Sequence, residues 1–236
     1  MRSKSLVLIS AFTLLSSPLW ASAHSDSIER LQMSSDVLRS IVQTPDKGIP
    51  EEVLSSAKCI VVIPHLIKGG FVFGAEHGRG IASCRTPEGW SAPAFVSIGG
   101  GSWGLQIGVE GVDLVMVVMN DQGLQHLLSS KFQLSGDASA SAGPVGRHAS
   151  AGTDWTLNTE ILTYSRSRGV FAGITLNGAV VEQDNDSTIA IYGRGHTFKS
   201  ILSGNVPAPS STLAFMRSIN RTAHISRVAE DKTAGQ

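Results

Sequence analysis

Cys59-Ile60-Val61-Val62-Ile63-Pro64 opens the part of the chain that reads as β-structure. Ile60 to Ile63 are all β-branched, which suits a pleated strand, and Pro64 is expected to stop it because it has no N–H for a ladder. Gly69-Gly70 leads into Phe71-Val72-Phe73-Gly74-Ala75, and Gly78-Arg79-Gly80 reads as the turn into Ile81-Ala82-Ser83-Cys84. Further strands are expected over Pro93–Ile98 and Trp103–Met119, with Gly99-Gly100-Gly101 as a break between them. Before this region the pattern is helical. Ile28, Leu31, Leu38 and Val42 recur near one face of Ser25–Gln43, while Glu29, Arg30, Asp36 and Arg39 lie outside that stripe. Thr44 to Gly48 ends this helix, and Pro50 opens a shorter one through about Lys58.

Beyond Met119, Asn120-Asp121 can cap a helix over Gln122–Ser130. Ser135 to Gly152 is rich in Gly, Ala and Ser, read here as strands packed closely on neighbouring backbone rather than as a linker. Trp155–Ser165 alternates, and Gly169–Val181 reads as a hairpin turning at Asn177-Gly178. Asp184–Tyr192 and His196–Leu202 read as short helical elements, and the stretch beyond Ser203 has little core character.

The chain has 236 residues with 19 basic and 19 acidic side chains. Residues 1–23 have the pattern of a cleavable secretory signal peptide: Arg2 and Lys4, an apolar stretch from Leu6 to Leu15, then Ala21-Ser22-Ala23. This stretch of about ten residues, broken only by Ser10 and Thr13, is too short to span a bilayer, which takes roughly 20. Without those 23 residues the chain carries 17 basic and 19 acidic groups, a balance with no general attraction for nucleic acid. Cys59 and Cys84 are the only cysteines, and in an oxidising compartment a disulfide between them is favoured over free thiols or a metal site.

Catalytic motifs are present only in outline. Gly99-Gly100-Gly101-Ser102-Trp103-Gly104 satisfies both GxGxxG and GxSxG, but each needs a helix to follow, and Leu105 to Val109 is strand-like. The histidines are scattered, with no HExxH. No cofactor or metal is expected. More suggestive is Thr163–Arg168: as a strand it puts Tyr164, Arg166 and Arg168 on one face, two guanidiniums about 7 Å apart. Such a pair can grip a phosphate. Lys68 and Arg79 form a second basic edge.

Several segments together resemble the SYLF family. They are Ala57–Pro64, Lys68–Gly74, Val117–Asn120, Ser130–Phe132, Gly136–Ala138, Ala142–Arg147 and above all Glu160-Ile161-Leu162-Thr163-Tyr164-Ser165-Arg166-Ser167-Arg168-Gly169-Val170-Phe171-Ala172-Gly173. The match runs from about Ser34 to Gly193. The resemblance implies binding of membrane phospholipid, with phosphoinositides as ligands in eukaryotic members, and no established catalysis. Some members bind actin or its regulators, and eukaryotic ones lay an amphipathic amino-terminal segment on the bilayer. Ile28–Val42 is the counterpart here, although its helix carries Asp26, Glu29 and Asp36 against only Arg30 and Arg39, and so is not the basic amphipathic helix that favours an anionic surface.

The expectation is therefore an α+β protein, with amino-terminal helices packed on a glycine-rich, mostly antiparallel sheet that curls toward a barrel. Its parts are a signal peptide (1–23), one SYLF-like domain (24–203) and a polar tail (204–236). It is read as an exported, non-enzymatic phospholipid-binding protein of the periplasm or exterior, peripherally attached to a membrane surface. Ile28, Leu31, Leu38 and Val42 would insert, and Lys68, Arg79, Tyr164, Arg166 and Arg168 would meet the headgroup. An envelope protein partner, or a hydrolase using Ser102, are the alternatives; actin is not expected to meet an exported protein.

Overall fold

The structure, a computed structural model, describes residues 19–43, 48–70, 73–103, 108–146, 159–167 and 169–222. Its architecture is α+β, with a ten-stranded sheet curled into a half-barrel. The strands are β1 (Cys59–Gly70), β2 (Phe73–Thr86), β3 (Gly89–Trp90), β4 (Ala94–Trp103), β5 (Gly108–Val118), β6 (Lys131–Gln133), β7 (Ala140–Ala142), β8 (Ile161–Ser167), β9 (Val170–Gly173) and β10 (Val180–Gln183). Their order is β6-β10-β4-β2-β1-β5-β8-β7, with β3 on β2 and β9 on β8. Only the β7–β8 pairing is parallel among those described. The helices are α1 (Leu19–Gln43), α2 (Glu51–Ser56), α3 (Asp121–Leu128), α4 (Asn185–Tyr192), α5 (Phe198–Leu202) and α6 (213–222).

The continuous apolar run of β1 follows from its place near the middle of the sheet, where both faces are covered. Cys59, Val61, Ile63 and Leu66 join Leu114 and Met116 of β5 in one core, closed by Leu127 of α3 and Phe198 and Ile201 of α5. Ile60 and Val62 face the other way. There Ile81, Phe95, Val115 and Leu162 lie beneath Leu31, Val37, Leu38 and Ile41 of α1, with Phe215 and Ile219 of α6 beside them. Cys59 and Cys84 are register partners on β1 and β2 and are joined by a disulfide.

Pro64 does not end β1. The strand carries one extra residue there against both neighbours, since Ile63 and Leu66 pair with Leu114 and Val112. This β-bulge accommodates a residue that cannot donate to the ladder. His65 takes a positive φ of 52°, and its N–H donates to Asp113 Oδ1 at 3.1 Å. Gly78 and Gly80 are likewise within β2 rather than in a turn. A Cβ on Gly80 would lie 2.3 Å from Val62 O and 3.0 Å from Ile63 Cα, so glycine is what lets β2 pass over the bulge.

Gly99, Gly100 and Gly101 also stay in their strand, paired with His77, Glu76 and Ala75. The next residue, Ser102, is paired with Gly74 inside β4, which is not the strand-to-helix turn a nucleophile elbow requires. Asn177-Gly178 does form a turn, with Gly178 at φ 83°, yet it does not close a β9–β10 hairpin. Instead β9 folds back on β8, and β10 crosses to pair with β4 and β6, where Val181 is buried beside Phe132 and Ile98. The local turn signal is obeyed, while burial selects the partner. The stretch read as a polar tail supplies Val206, Phe215 and Ile219 to the core. Residues 1–18, most of the proposed signal segment, lie outside the described residues; 19–23 form the start of α1.

Candidate functional site

On the face covered by α1, buried side chains reach as far as Val62, Ile81, Phe95, Val115 and Tyr164. One step further along alternate positions come Ser97, Arg79, Asp113 and Arg166 of β4, β2, β5 and β8. The row beyond is Gly99, His77, Ile67 and Gly111, in register across four strands. After it come Gly101, Ala75, Gly69 and Val109. Ile67 is 53% exposed, and His77, Ala75, Gly101 and Gly111 are exposed around it. Among the side chains described there, the result is a low shelf made mostly of glycine and alanine, with Ile67 as its large apolar side chain and cations at its border.

Those cations are not clustered. Arg79 and Arg166 share this face, but β1 and β5 lie between their strands, a separation of about 14 Å at ordinary strand spacing. Arg166 is occupied, donating Nε–H to Asp113 Oδ2 at 2.8 Å. Lys68 projects from the opposite face, 3.4 Å from the buried carboxylate of Glu76. Tyr164 shares its face with Arg166, as strand alternation requires, but lies one step inside the covered zone and is fully buried. Burial pushes its phenol well above the ordinary range, and its hydroxyl has no hydrogen-bond partner among the described residues. A Cβ on Gly143 would sit 2.0 Å from the Tyr164 ring, so the glycine makes room for it. Arg168 lies outside the described residues.

The apolar stripe of α1 faces inward. Leu31 and Leu38 are buried and Ile28 packs at the margin of the same core; the side chain of Val42 lies outside the described set. Insertion of this stripe into a bilayer would require α1 to leave the sheet. Holding it there is a buried ion pair: Arg30 Nη1 donates to Asp184 Oδ2 at 2.9 Å, and its guanidinium lies 5.5 Å from the centre of the Phe95 ring. Asp184 also caps α4, accepting from Ser187 N–H at 3.1 Å and from Ser187 Oγ–H at 2.8 Å. Burial pushes the Asp184 carboxyl up, but the hydrogen bonds from Ser187 and Arg30 outweigh it and hold the group below the ordinary aspartate value. Burial in turn lowers Arg30, against the opposing pull of Asp184. Asp184, Asn185, His77, Arg79 and Ser97 line a cleft of about 340 Å³ beside this pair.

Sequence reasoning missed a second cationic place. Arg39 of α1 and Arg217 and Arg221 of α6 line one cleft of about 200 Å³. The signal was there in Phe215 and Ile219, four residues apart, beside Arg217 and Arg221 at the same spacing, a short amphipathic helix inside a stretch taken as tail. Among the described residues no group of three His, Cys, Asp or Glu is placed to hold a metal, and no helix is long and apolar enough to cross a membrane.

A family model described as Ysc84, Las17-binding protein actin regulator, matches residues 99–222. The SH3 domain-containing YSC84-like protein 1 of Rattus norvegicus is 34% identical over 168 residues, 70% of this chain and 49% of that protein. Protein YSC84 of Saccharomyces cerevisiae is 32% identical over 196 residues, covering 79% of this chain and 42% of its own length. LAS seventeen-binding protein 3 of the same species is 31% identical over 182 residues, 75% of this chain and 39% of that protein. The chain thus spans about half the length, or less, of these relatives.

Proposed function

We propose, on the premise that this chain belongs to the Ysc84 (SYLF) family, that it is an exported, non-enzymatic protein that binds membrane phospholipid through the shelf of its sheet. The observation that carries this reading is Ile67, 53% exposed, with exposed Gly101, Gly111, Ala75 and His77 around it. An apolar side chain on a smooth face can enter the interfacial zone of a bilayer without displacing any packed element. Arg79 and His77 nearby can meet headgroup oxygens. Export rests on the pattern of residues 1–23, and the envelope is the membrane such a protein would reach.

The test is co-sedimentation with vesicles of phosphatidylcholine with and without an anionic lipid. Ile67→Glu is expected to weaken binding about tenfold or more, since burying such a side chain is worth roughly 1.5–3 kcal/mol. Stability should stay within about 0.5 kcal/mol of the parent, as for other surface substitutions. Equal sedimentation of parent and variant would remove the shelf as the lipid surface.

A second reading has its own support. The matching family is described by a protein that its members bind, and a relative carries the same partner in its name. A protein partner at the envelope, in place of lipid, is the outcome if the purified chain sediments with no vesicle and captures one stoichiometric protein.

A further inference from the structure

Among the described residues, the cleft between α1 and α6 has a charge without a counterpart. Phe215 and Ile219 are buried in the core, which fixes the rotation of α6 about its axis. That rotation brings Arg217 and Arg221, one turn apart, to the flank facing Arg39. On α1, Val37, Leu38 and Ile41 are buried, so Arg39 projects outward at the edge of the same contact. Arg39 is paired with Asp36. Neither Arg217 nor Arg221 has a carboxylate partner among the described residues. Among the described residues, three guanidiniums less one carboxylate leave a formal charge of +2 in a cleft of about 200 Å³.

Like charges one turn apart on a helix repel, and nothing in the fold of α6 requires arginine at either position. The other polar group in the cleft, Ser218, is already used, its Oγ–H donating to Ala214 O at 3.1 Å. The donors that remain are the planar forks of the guanidiniums, which match two oxygens of a phosphate at once. The volume is below the roughly 300–1,000 Å³ of pockets that enclose a drug-sized molecule, and fits a small anion or the head of a larger molecule. We propose that this cleft is a binding site for a phosphate group, carried by a lipid headgroup or free in solution. Leu213, 44% exposed at the start of α6, sets an apolar side chain on the same helix, as a lipid source would use. The lipid source rests on the membrane reading above; the phosphate site does not.

The experiment has two arms, each run on the parent chain, on Arg217→Ala with Arg221→Ala, and on Ile67→Glu. In the first, inorganic phosphate is titrated into isotope-labelled protein and backbone amide shifts are followed by NMR. The parent is expected to show saturating shifts over 213–222, and the double arginine variant, with an unchanged Tm, to bind about tenfold more weakly or not at all. In the second, vesicles of phosphatidylcholine are compared with vesicles that also contain phosphatidic acid, whose phosphomonoester is exposed. A lipid source predicts that the gain from phosphatidic acid is lost in the double arginine variant. If phosphate binding is lost in that variant while no protein binds either vesicle, the site stands with a soluble ligand and the membrane reading falls. If Ile67→Glu abolishes vesicle binding while the arginine variant matches the parent in both arms, the membrane reading stands and this site does not. Phosphate shifts that are equal in parent and arginine variant, or absent from both, overturn the proposal.

Discussion

Asp184→Ala is expected to destabilise the protein by about 3–5 kcal/mol, the cost of leaving a buried charge without its partner. The charge left behind is Arg30, whose side chain is 4% exposed and whose ion pair with Asp184 ties α1 to the start of α4. The loss of the α4 cap adds to the effect, since Ser187 N–H and Oγ–H both lose their acceptor. Replacing both members of the pair, Arg30→Met with Asp184→Leu, should recover much of the loss, because a buried pair exchanged for apolar groups is often close to neutral. Urea unfolding of the two variants separates these outcomes; equal losses would mean that the charge of Arg30 is not the cause.

The same pair sets an acid limit. The Asp184 carboxyl is held below its ordinary value, so the folded state binds its proton less readily than the unfolded chain does. Its contribution is fully present above the ordinary aspartate pKa of about 3.9 and is lost as the pH falls below that through the folded value. Stability of the parent should therefore drop more steeply than that of Arg30→Met with Asp184→Leu over this acid range.

Removing the disulfide is the second large effect. Cys59 and Cys84 are 25 positions apart, and closing such a loop is worth about 3 kcal/mol in the chain-entropy account. Cys59→Ala with Cys84→Ala is expected to lower Tm by about 6–12 °C, at roughly 2–4 °C per kcal/mol for a chain of this size. Calorimetry of the parent with and without reductant should give a shift of the same sign. No change on reduction would mean that the β1–β2 pairing alone sustains the strands.

Much of this fold is visible in the chain itself. The β-branched run of β1 and the apolar Val112–Val118 stretch read as buried strands because both lie between two covered faces. The α1 stripe is equally legible, and Asn120 is in fact the cap of α3, accepting from Gly123 N–H at 2.9 Å. What misleads is residue type taken without register. Pro64 looks like a terminator, but one extra residue in β1 lets the strand continue past it. Gly78 and Gly80 look like a turn, yet they are close-approach sites: Gly78 is needed because of Ile63 and Gly80 because of Val62 and Ile63, fifteen to eighteen positions earlier in sequence.

The site was less legible for the same reason. Alternation along β8 correctly puts Tyr164 and Arg166 on one face, but nothing local says that α1 and its neighbours cover the first and stop short of the second. The partner of Arg166 is Asp113, 53 positions away and defined only by the β5–β8 register. Ile67 lies between Pro64, read as the end of a strand, and Gly69-Gly70, so nothing in the sequence singles it out. Its exposure depends on where the helices end.

The central claim is that the shelf around Ile67, and not the stripe of α1, is what meets the bilayer. Ile67→Cys would carry the one free thiol in a chain whose own cysteines are paired, and can be labelled with an environment-sensitive fluorophore. Glu88→Cys, exposed near the β2–β3 turn at the far end of β2, serves as the reference. On adding anionic vesicles, the label at position 67 should shift to the blue and become shielded from an aqueous quencher, while the label at 88 should not change. Protein that sediments with the vesicles while the label at 67 stays fully exposed to quencher would contradict the account.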